Sequence, residues 1–265
     1  MKSWFVIGQY LPGNSPIHRL DPRTKLMIIF TFVCLLFFVN HWTGYLLFSL
    51  FTMLSIALSQ VKWSFILKGV TPVWFFIVLT FILHILITRE GDVLWQIGWF
   101  HVYEAGLERS IEISWRLLIL VVFTSLLTLT TAPMQLTDGL ESLFGPLKRW
   151  KVPVHEIALM MSISLRFIPT LMEEADRISK AQASRGVDFK TGTLKERMYA
   201  FVPLLIPLFI GAFKRAEDLA TAMEVRGYQG GEGRTKLREL AFTYLDRWAI
   251  LCYLIVLILF ILLRQ

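Results

Sequence analysis

Two short strings in the sequence end on the same arginine–glycine pair: Ala183-Ser184-Arg185-Gly186 and Glu224-Val225-Arg226-Gly227. Arginine presents a planar fork of five N–H donors, which suits carboxylates and carbonyls in a partner's groove. A glycine directly after a helix favours a left-handed cap, and an arginine in the last turn complements the helix dipole. One such string therefore predicts only a helix end. The occurrence of two favours a pair of docking sites for partner proteins.

The two strings belong to a longer internal repeat. Shifting the sequence by 41 residues superimposes six similar pairs that end in the same arginine and glycine, which is more than chance supplies in residues this common. The pairs are Ala175–Ala216, Asp176–Glu217, Ile178–Leu219, Ala181–Ala222, Arg185–Arg226 and Gly186–Gly227. The repeat covers only the C-terminal halves of two helical stretches, so it indicates one docking device used twice and not a solenoid.

Long helices must position these strings. The first predicted helix follows Pro153 and reaches Gly186, and the second runs from Leu194 to Gly227. An apolar run at 199–213 in the second is too short to cross a bilayer at ~1.5 Å per residue, so we interpret it as an in-plane or shallow helix that lies against the membrane or a membrane partner. Charged residues at 173–180 are spaced three and four apart and predict a solvated helix face.

Apolar blocks dominate the rest of the chain. Hydrophobic residues make up 55% of the sequence and the mean hydropathy is +0.58. A helix needs about 20 apolar residues to cross a bilayer, which predicts about five transmembrane helices once flanking residues and tilt are allowed for. The five stretches are Leu26–Val39, Tyr45–Leu58, Phe65–Ile87, Ile113–Leu129 and Ala249–Leu263. The predicted fold is an all-α membrane protein with a cytoplasmic coupling domain of long helices.

The charge distribution predicts the topology. The net charge is +7, and because lysine and arginine favour cytoplasmic loops, we place the N-terminus and residues 132–247 inside and 88–112 outside. This gives a membrane domain at 1–131 with about four spans, a cytoplasmic coupling domain at 132–247 and a final transmembrane helix at 248–265. The same rule accounts for Arg23 and Lys25, and it removes the need for nucleic acid as a partner.

Thr131-Ala132-Pro133 closes the fourth apolar stretch. The residue before a proline is pushed out of the α region, so the string predicts a helix break, and its small residues would allow close backbone packing.

Several chemistries are missing from the sequence. No Gly-x-x-x-x-Gly-Lys-Ser/Thr loop is present to hold ATP. His155-Glu156 is followed by leucine at position 159, so the two-histidine zinc motif is absent and we expect no metal site. We expect this chain to bind no cofactor and to be no enzyme. A self-sufficient solute carrier or channel stays open as an alternative. An intramembrane enzyme is disfavoured because paired carboxylates, Ser/Lys dyads and metal ligands are lacking.

Taken together, these strings resemble the EcfT family, the transmembrane scaffolds of energy-coupling factor (ECF) transporters. The resemblance covers both ends of the chain and is most specific in the Ala-Gln-x-x-Arg-Gly string. The matching strings are Pro16–Lys25, Pro146–Arg149, Leu165–Thr170, Glu174–Arg177, Ala181–Gly186 and Arg226–Gly227.

The resemblance implies a scaffold, in the bacterial cell membrane, of an ATP-driven vitamin or micronutrient importer. Two ABC-type ATPase subunits, which carry ATP and Mg²⁺, would dock on Ser184-Arg185-Gly186 and Val225-Arg226-Gly227. The family's small-x-proline feature corresponds best to Thr131-Ala132-Pro133. A separate small membrane protein would capture the substrate. Methionines suit surfaces that accept several shapes, and the expected contacts with that protein are Met160, Met161, Phe167, Met172 and Met198.

Overall fold

The computed structural model describes residues 10–97, 100–187, 193–230 and 240–263, which are almost entirely helical. The chain forms two compact units. Unit 1 contains residues 1–143 and 240–265, and unit 2 contains residues 144–239. The helices are α1 (Pro22–Leu36), α2 (Trp42–Ser59), α3 (Trp63–Ile87), α4 (Glu104–Thr130), α5 (Pro133–Leu143), α6 (Val154–Ser184), α7 (Leu194–Val225) and α8 (Tyr244–Leu263).

Two short strands and one 3₁₀ helix are the other regular elements among the described residues. Strands β1 (Val93–Ile97) and β2 (Phe100–Tyr103) pair antiparallel between α3 and α4, a hairpin that the all-α prediction did not include. A 3₁₀ helix at Gly145–Trp150 precedes α6. Helix α5 packs on α1 in unit 1 through Gly139, where a Cβ would lie 3.0 Å from the Cβ of Pro22. The predicted segment 132–247 therefore includes a helix that belongs to unit 1.

Helices α1, α2, α4 and α8 converge on an aromatic core in unit 1. Phe32 of α1 is fully buried and stacks on Phe123 of α4 with 3.9 Å between ring centroids. Phe48 of α2 meets Phe32 edge to face at 5.0 Å, a geometry that suits the aromatic quadrupole. The other buried members are Leu36, Val39, Tyr45, Ile119, Tyr253 and Phe260.

Among the described residues, six helices are long and apolar enough to cross a membrane. Four of them, α2, α3, α4 and α8, contain predicted transmembrane stretches. The remaining stretch, Leu26–Val39, begins in α1 but extends beyond its end at Leu36, and α1 has only 15 residues. Helices α6 and α7 satisfy the criterion of length and composition as well. The all-α membrane class is confirmed, with six candidate spans where the sequence predicted about five.

An arginine is accommodated inside the apolar unit by local acceptors. Nη2 of Arg116 in α4 donates to the carbonyl of Val39 at 2.8 Å and to the Tyr45 hydroxyl at 2.6 Å. The guanidinium also lies 5.7 Å from the centroid of the Tyr45 ring. Arg116 therefore satisfies a carbonyl just beyond the end of α1 and connects α4 to α2.

Lys25 is buried at the start of α1, with 5% of its surface exposed. Its Nζ donates to the carbonyl of Thr130 at 3.0 Å and to the hydroxyl of Thr131 at 3.1 Å, where α4 ends. Nζ is also 3.4 Å from the carbonyl of His18. A cation at a helix C-terminus complements the helix dipole. Lys25 therefore caps α4, a role that membrane orientation alone does not supply.

Asp246, at the first turn of α8, is fully buried. Its carboxylate accepts from the backbone N–H of Asp21 and from both the N–H and the hydroxyl of Thr243, each at 2.7 Å. Hydrogen bonds of this kind satisfy a buried charge. Asp21 in turn caps α1 by accepting from the N–H of Arg23 at 2.9 Å. Together, Asp21, Lys25, Thr131 and Asp246 form a buried polar cluster that joins α1, α4 and α8.

His18 lies next to this cluster and is held in one tautomer. Its Nε2 donates to the carbonyl of Leu11 at 3.0 Å, which leaves Nδ1 to accept from the Ser15 hydroxyl at 2.7 Å. Burial lowers the pKa of His18, the Leu11 carbonyl partly offsets that change, and the charge of Lys25 adds to it. The neutral ring is therefore the form that fits this network.

Lys25→Met is expected to lower the free energy of unfolding by about 1–3 kcal/mol, because it leaves the buried carbonyl of Thr130 without a donor. Denaturant titration of the full chain in detergent measures this change. Lys62→Met is the matched control, since Lys62 is exposed, and it should change stability little. Equal losses in the two variants would contradict the capping role.

Candidate functional site: the helix pair and its arginine ends

Helices α6 and α7 pack antiparallel in unit 2 and will be called the helix pair. Glu174 of α6 contacts Arg215 of α7, and two turns further along α6 Gln182 contacts Pro203, which is earlier in α7. An apolar cleft of about 340 Å³ lies between the helices on the other side of Glu174. Residues that face the partner helix recur every three or four positions, as expected for one face of a helix.

The first arginine string closes α6 with a Schellman motif. The N–H of Gly186 donates to the carbonyl of Ala183, and the N–H of Val187 donates to the carbonyl of Gln182, both at 3.0 Å. Gly186 has φ +88°, in the left-handed region that favours glycine. Ser184-Arg185-Gly186 will be called the first tip.

The second arginine string closes α7 in the same way. The N–H of Gly227 donates to the carbonyl of Glu224 at 2.9 Å, and the N–H of Tyr228 donates to the carbonyl of Met223 at 3.0 Å. Gly227 has φ +72°. Val225-Arg226-Gly227 will be called the second tip. Because the same two hydrogen bonds recur at the same positions, the tips are structural equivalents as well as sequence repeats.

An ion pair between Glu174 and Arg215 lies between the two helices. Their side chains are half-buried, with 28% and 29% of their surface exposed. Gly211 allows this approach, since a Cβ there would lie 3.1 Å from Oε1 of Glu174. The interpretation of residues 173–180 as a solvated face is wrong at Glu174, which points to α7. It is right at Lys180 and Asp176, an exposed i, i+4 pair.

Glu174 and Arg215 are 41 residues apart, which is the period of the repeat. These two residues, which the repeat makes equivalent, contact each other, and the antiparallel helices are therefore related by a local two-fold about this ion pair. Arg185 follows Glu174 by the same number of residues as Arg226 follows Arg215. Since the helices run in opposite directions, the tips lie on opposite sides of the ion pair, separated by about 30 Å along the pair at 1.5 Å per residue.

Both tips are exposed, but their surroundings differ. Arg185 and Arg226 are both exposed at their helix ends. In the first tip the arginine is preceded by Ser184, whose hydroxyl donates to the carbonyl of Lys180 at 3.1 Å. In the second tip it is preceded by Val225, which is 83% exposed. A partner groove would therefore meet a polar first tip and a more apolar second tip.

The five residues predicted to contact a capture protein do not form one patch. Met160, Met161, Met172 and Met198 are all exposed, by 40–67%. Met160 and Met161 lie at the end of the pair that carries the second tip, whereas Met198 lies at the end that carries the first. Phe167 is half-buried and lines the cleft between α6 and α7. The structure therefore leaves Phe167 in contact with α7 and the methionines on the outer surface.

Thr131-Ala132-Pro133 lies in unit 1, where α4 ends and α5 begins. Thr131 is extended at φ −136° and almost fully buried, and its hydroxyl accepts from Lys25. The N–H of Ala132 donates to the side chain of Gln135 at 3.3 Å. The predicted helix break is therefore present, and it is held in place by Lys25, which the sequence explains by membrane orientation alone.

Over the described part of the chain, no group of three or more His, Cys, Asp or Glu side chains is placed to hold a metal ion. The arrangement instead offers two exposed guanidinium groups at the two ends of the helix pair. Such groups can bind carboxylates or helix C-termini in a partner protein.

Gly186→Ala and Gly227→Ala should each destabilise their helix end by about 1–2 kcal/mol, because an L-residue is strained at positive φ. The space around both positions is open, so the cost is conformational only. Faster amide exchange of Val187 and Tyr228 would report the loss. Gly145→Ala has equally open surroundings without positive φ, and it should leave exchange at both tips unchanged.

Comparison with known proteins agrees with the string resemblance. The CbiQ family, described as cobalt transport protein, matches residues 13–237. A protein of Bacillus subtilis (strain 168) named energy-coupling factor transporter transmembrane protein EcfT is 56% identical over 264 residues, covering 100% of both chains. Proteins of the same name from Brevibacillus brevis and Exiguobacterium sibiricum are 54% and 52% identical. They cover 91% and 93% of this chain and 91% and 94% of their own lengths.

The match extends over both units, including the helix pair, the two tips and the Thr-Ala-Pro break. Identity above half over nearly the full length is far more than a shared fold requires. The chain belongs to the CbiQ/EcfT family of energy-coupling factor transporter transmembrane proteins.

Proposed function

We propose that this chain is the scaffold subunit of an ATP-driven ECF importer for a vitamin or another micronutrient. Two ABC-type ATPase subunits dock on the first and second tips, on the cytoplasmic side of the bacterial cell membrane. A separate small membrane protein captures the substrate. ATP and Mg²⁺ are bound by the ATPases, and this chain itself performs no catalysis.

The observation that carries this proposal is the equivalence of the two tips. Each tip presents an exposed arginine after the last turn of a long helix, capped by the same Schellman motif. The tips are related by the local two-fold about Glu174 and Arg215, which fits a partner made of two similar subunits. Family membership supports the same assignment, since the relatives are named as transmembrane proteins of ECF transporters.

The mechanism follows from the length of the helices. When two docked ATPases close on ATP, they draw the tips towards each other. Helices α6 and α7 have 31 and 32 residues, so each spans about 45 Å at 1.5 Å per residue. Because each helix is long, a displacement of its tip also moves the part of the helix beyond the ion pair, including its outer surface. Movement there reorients the capture protein and opens its site to the cytoplasm.

The double variant Arg185→Ala/Arg226→Ala should abolish transport and retention of both ATPases, because it removes the guanidinium from each tip. Copurification from native membranes and uptake of the transported nutrient measure the two effects. Arg149→Ala/Arg197→Ala is the control, since it removes two exposed arginines elsewhere in unit 2. Normal ATPase retention and uptake in the tip variant would refute the docking role.

Substitution of the exposed methionines should affect the capture protein alone. Met160→Ser/Met161→Ser is expected to weaken retention of the small membrane protein, because it removes apolar, adaptable contacts. ATPase retention should stay unchanged and is measured in the same pull-down. Leu205→Ser/Ile206→Ser on α7, also exposed and apolar, tests whether this effect is specific to the methionines.

A self-sufficient solute carrier or channel is the competing function. Liposomes that contain the purified chain alone distinguish the two, because a scaffold moves no solute without its partners. Solute flux into such liposomes would overturn the proposal.

A further inference from the structure

The helix pair contains a carbonyl that its own helix cannot satisfy. In an α-helix the carbonyl of residue 203 accepts from the N–H of residue 207. Residue 207 is a proline, which has no N–H. The two prolines of α7, four residues apart, therefore leave the oxygen of Pro203 without its intrahelical donor.

Gln182 of α6 supplies the missing donor. Its Nε2 donates to the carbonyl of Pro203 at 3.3 Å, and its side chain is half-buried between the helices. The backbone carbonyl of the same residue accepts from the N–H groups of Arg185 and Val187, both at 3.0 Å. One residue thus joins the cap of the first tip to the opposite helix.

The second tip has no equivalent connection at this position. The 41-residue repeat places Met223 where the first helix has Gln182, and methionine has no N–H to donate. Met223 lines the cleft of about 340 Å³ between α6 and α7, and half of the residues that α7 contributes to its wall are alanines. The cleft leaves room for helix α7 to move towards α6 at this end.

We propose that Gln182 is a positioning residue that fixes the first tip to α7, so that the two tips are mechanically unequal. The first tip moves together with the N-terminal part of α7, which contains Pro203. The second tip lies at the C-terminal end of α7, beyond the Glu174–Arg215 ion pair, and moves relative to α6 across the cleft. In the transporter this makes the Arg226 end the more mobile docking site, a consequence that rests on the proposed function.

Distances between pairs of spin labels in the full chain test directly whether the two ends of the helix pair differ in mobility. Cys34 and Cys252 are both exposed and are first replaced by alanine. Labels at Ala183→Cys and Val202→Cys report the first end, and labels at Ser164→Cys and Thr221→Cys report the second. We expect a narrow distance distribution at the first end and a broader one at the second. Equal widths at the two ends would overturn the proposal.

Gln182→Met then removes the amide at nearly constant side-chain length. The distribution at the first end should broaden to the width seen at the second, while the second stays unchanged. Met223→Leu, at the equivalent position of α7, should alter neither. An unchanged first distribution in Gln182→Met would show that the hydrogen bond does not fix the tip.

Pro207→Ala identifies the acceptor. It restores an N–H to the carbonyl of Pro203, so the effect of Gln182→Met should be smaller in this background than in the parent chain. Additive effects would mean that Gln182 acts through another group. All of these measurements use the chain without partners, so they stand or fall independently of ATPase docking.

The functional consequence is measured in the Arg226→Ala background, where only the first tip remains to dock. There, Gln182→Met should reduce ATPase retention, because the remaining tip is no longer held in place. Undiminished retention would refute positioning in the complex while leaving the docking role of Arg185 intact.

Discussion

The pairing of Glu174 with Arg215 sets the register of α6 against α7, and the placement of both tips depends on it. If one helix slid by a turn along the other, each of these half-buried charges would lose its partner. An unpaired charge in this position is destabilising, because it is partly removed from water without a compensating ion pair. Gly211 provides the space, so a small residue and an ion pair define one crossing point. Because the pair coincides with the repeat period, a single register places both arginines at equal distances from it.

Unit 1 depends on a different kind of constraint, the satisfaction of buried charge. Lys25 and Asp246 are nearly inaccessible to solvent, and each is surrounded by hydrogen-bond partners at helix ends. A buried charge without partners destabilises the fold, whereas one with all its hydrogen bonds made favours a single arrangement of the helices. They fix where α1, α4 and α8 begin or end, whereas the aromatic core around Phe32 fixes how closely these helices approach.

Much of the architecture could be predicted because apolar blocks, prolines and glycines act locally. Gly186 and Gly227 mark helix ends wherever the helices lie, and Pro133 breaks a helix regardless of its neighbours. The contact of Glu174 with α7 could not be predicted, because the spacing of charged residues along α6 is explained equally well by a solvent-exposed helix face. Lys25 and Asp246 lie 221 positions apart, and only the folded chain brings them to one cluster. The two prolines of α7 indicate that the carbonyl of Pro203 lacks its intrahelical donor. The sequence near them does not reveal that Gln182 of the other helix supplies it.

The hydrogen bond from Asp21 to Asp246 joins residues 225 positions apart, which bears on how the chain is made. At synthesis rates of about 5–20 residues per second, the start of α1 waits roughly 10–45 s for its acceptor to leave the ribosome. During that interval the backbone N–H of Asp21 lacks the acceptor that it has in the folded chain. Helix α8 therefore completes the start of α1, and a chain that lacks α8 leaves the N–H of Asp21 without this acceptor.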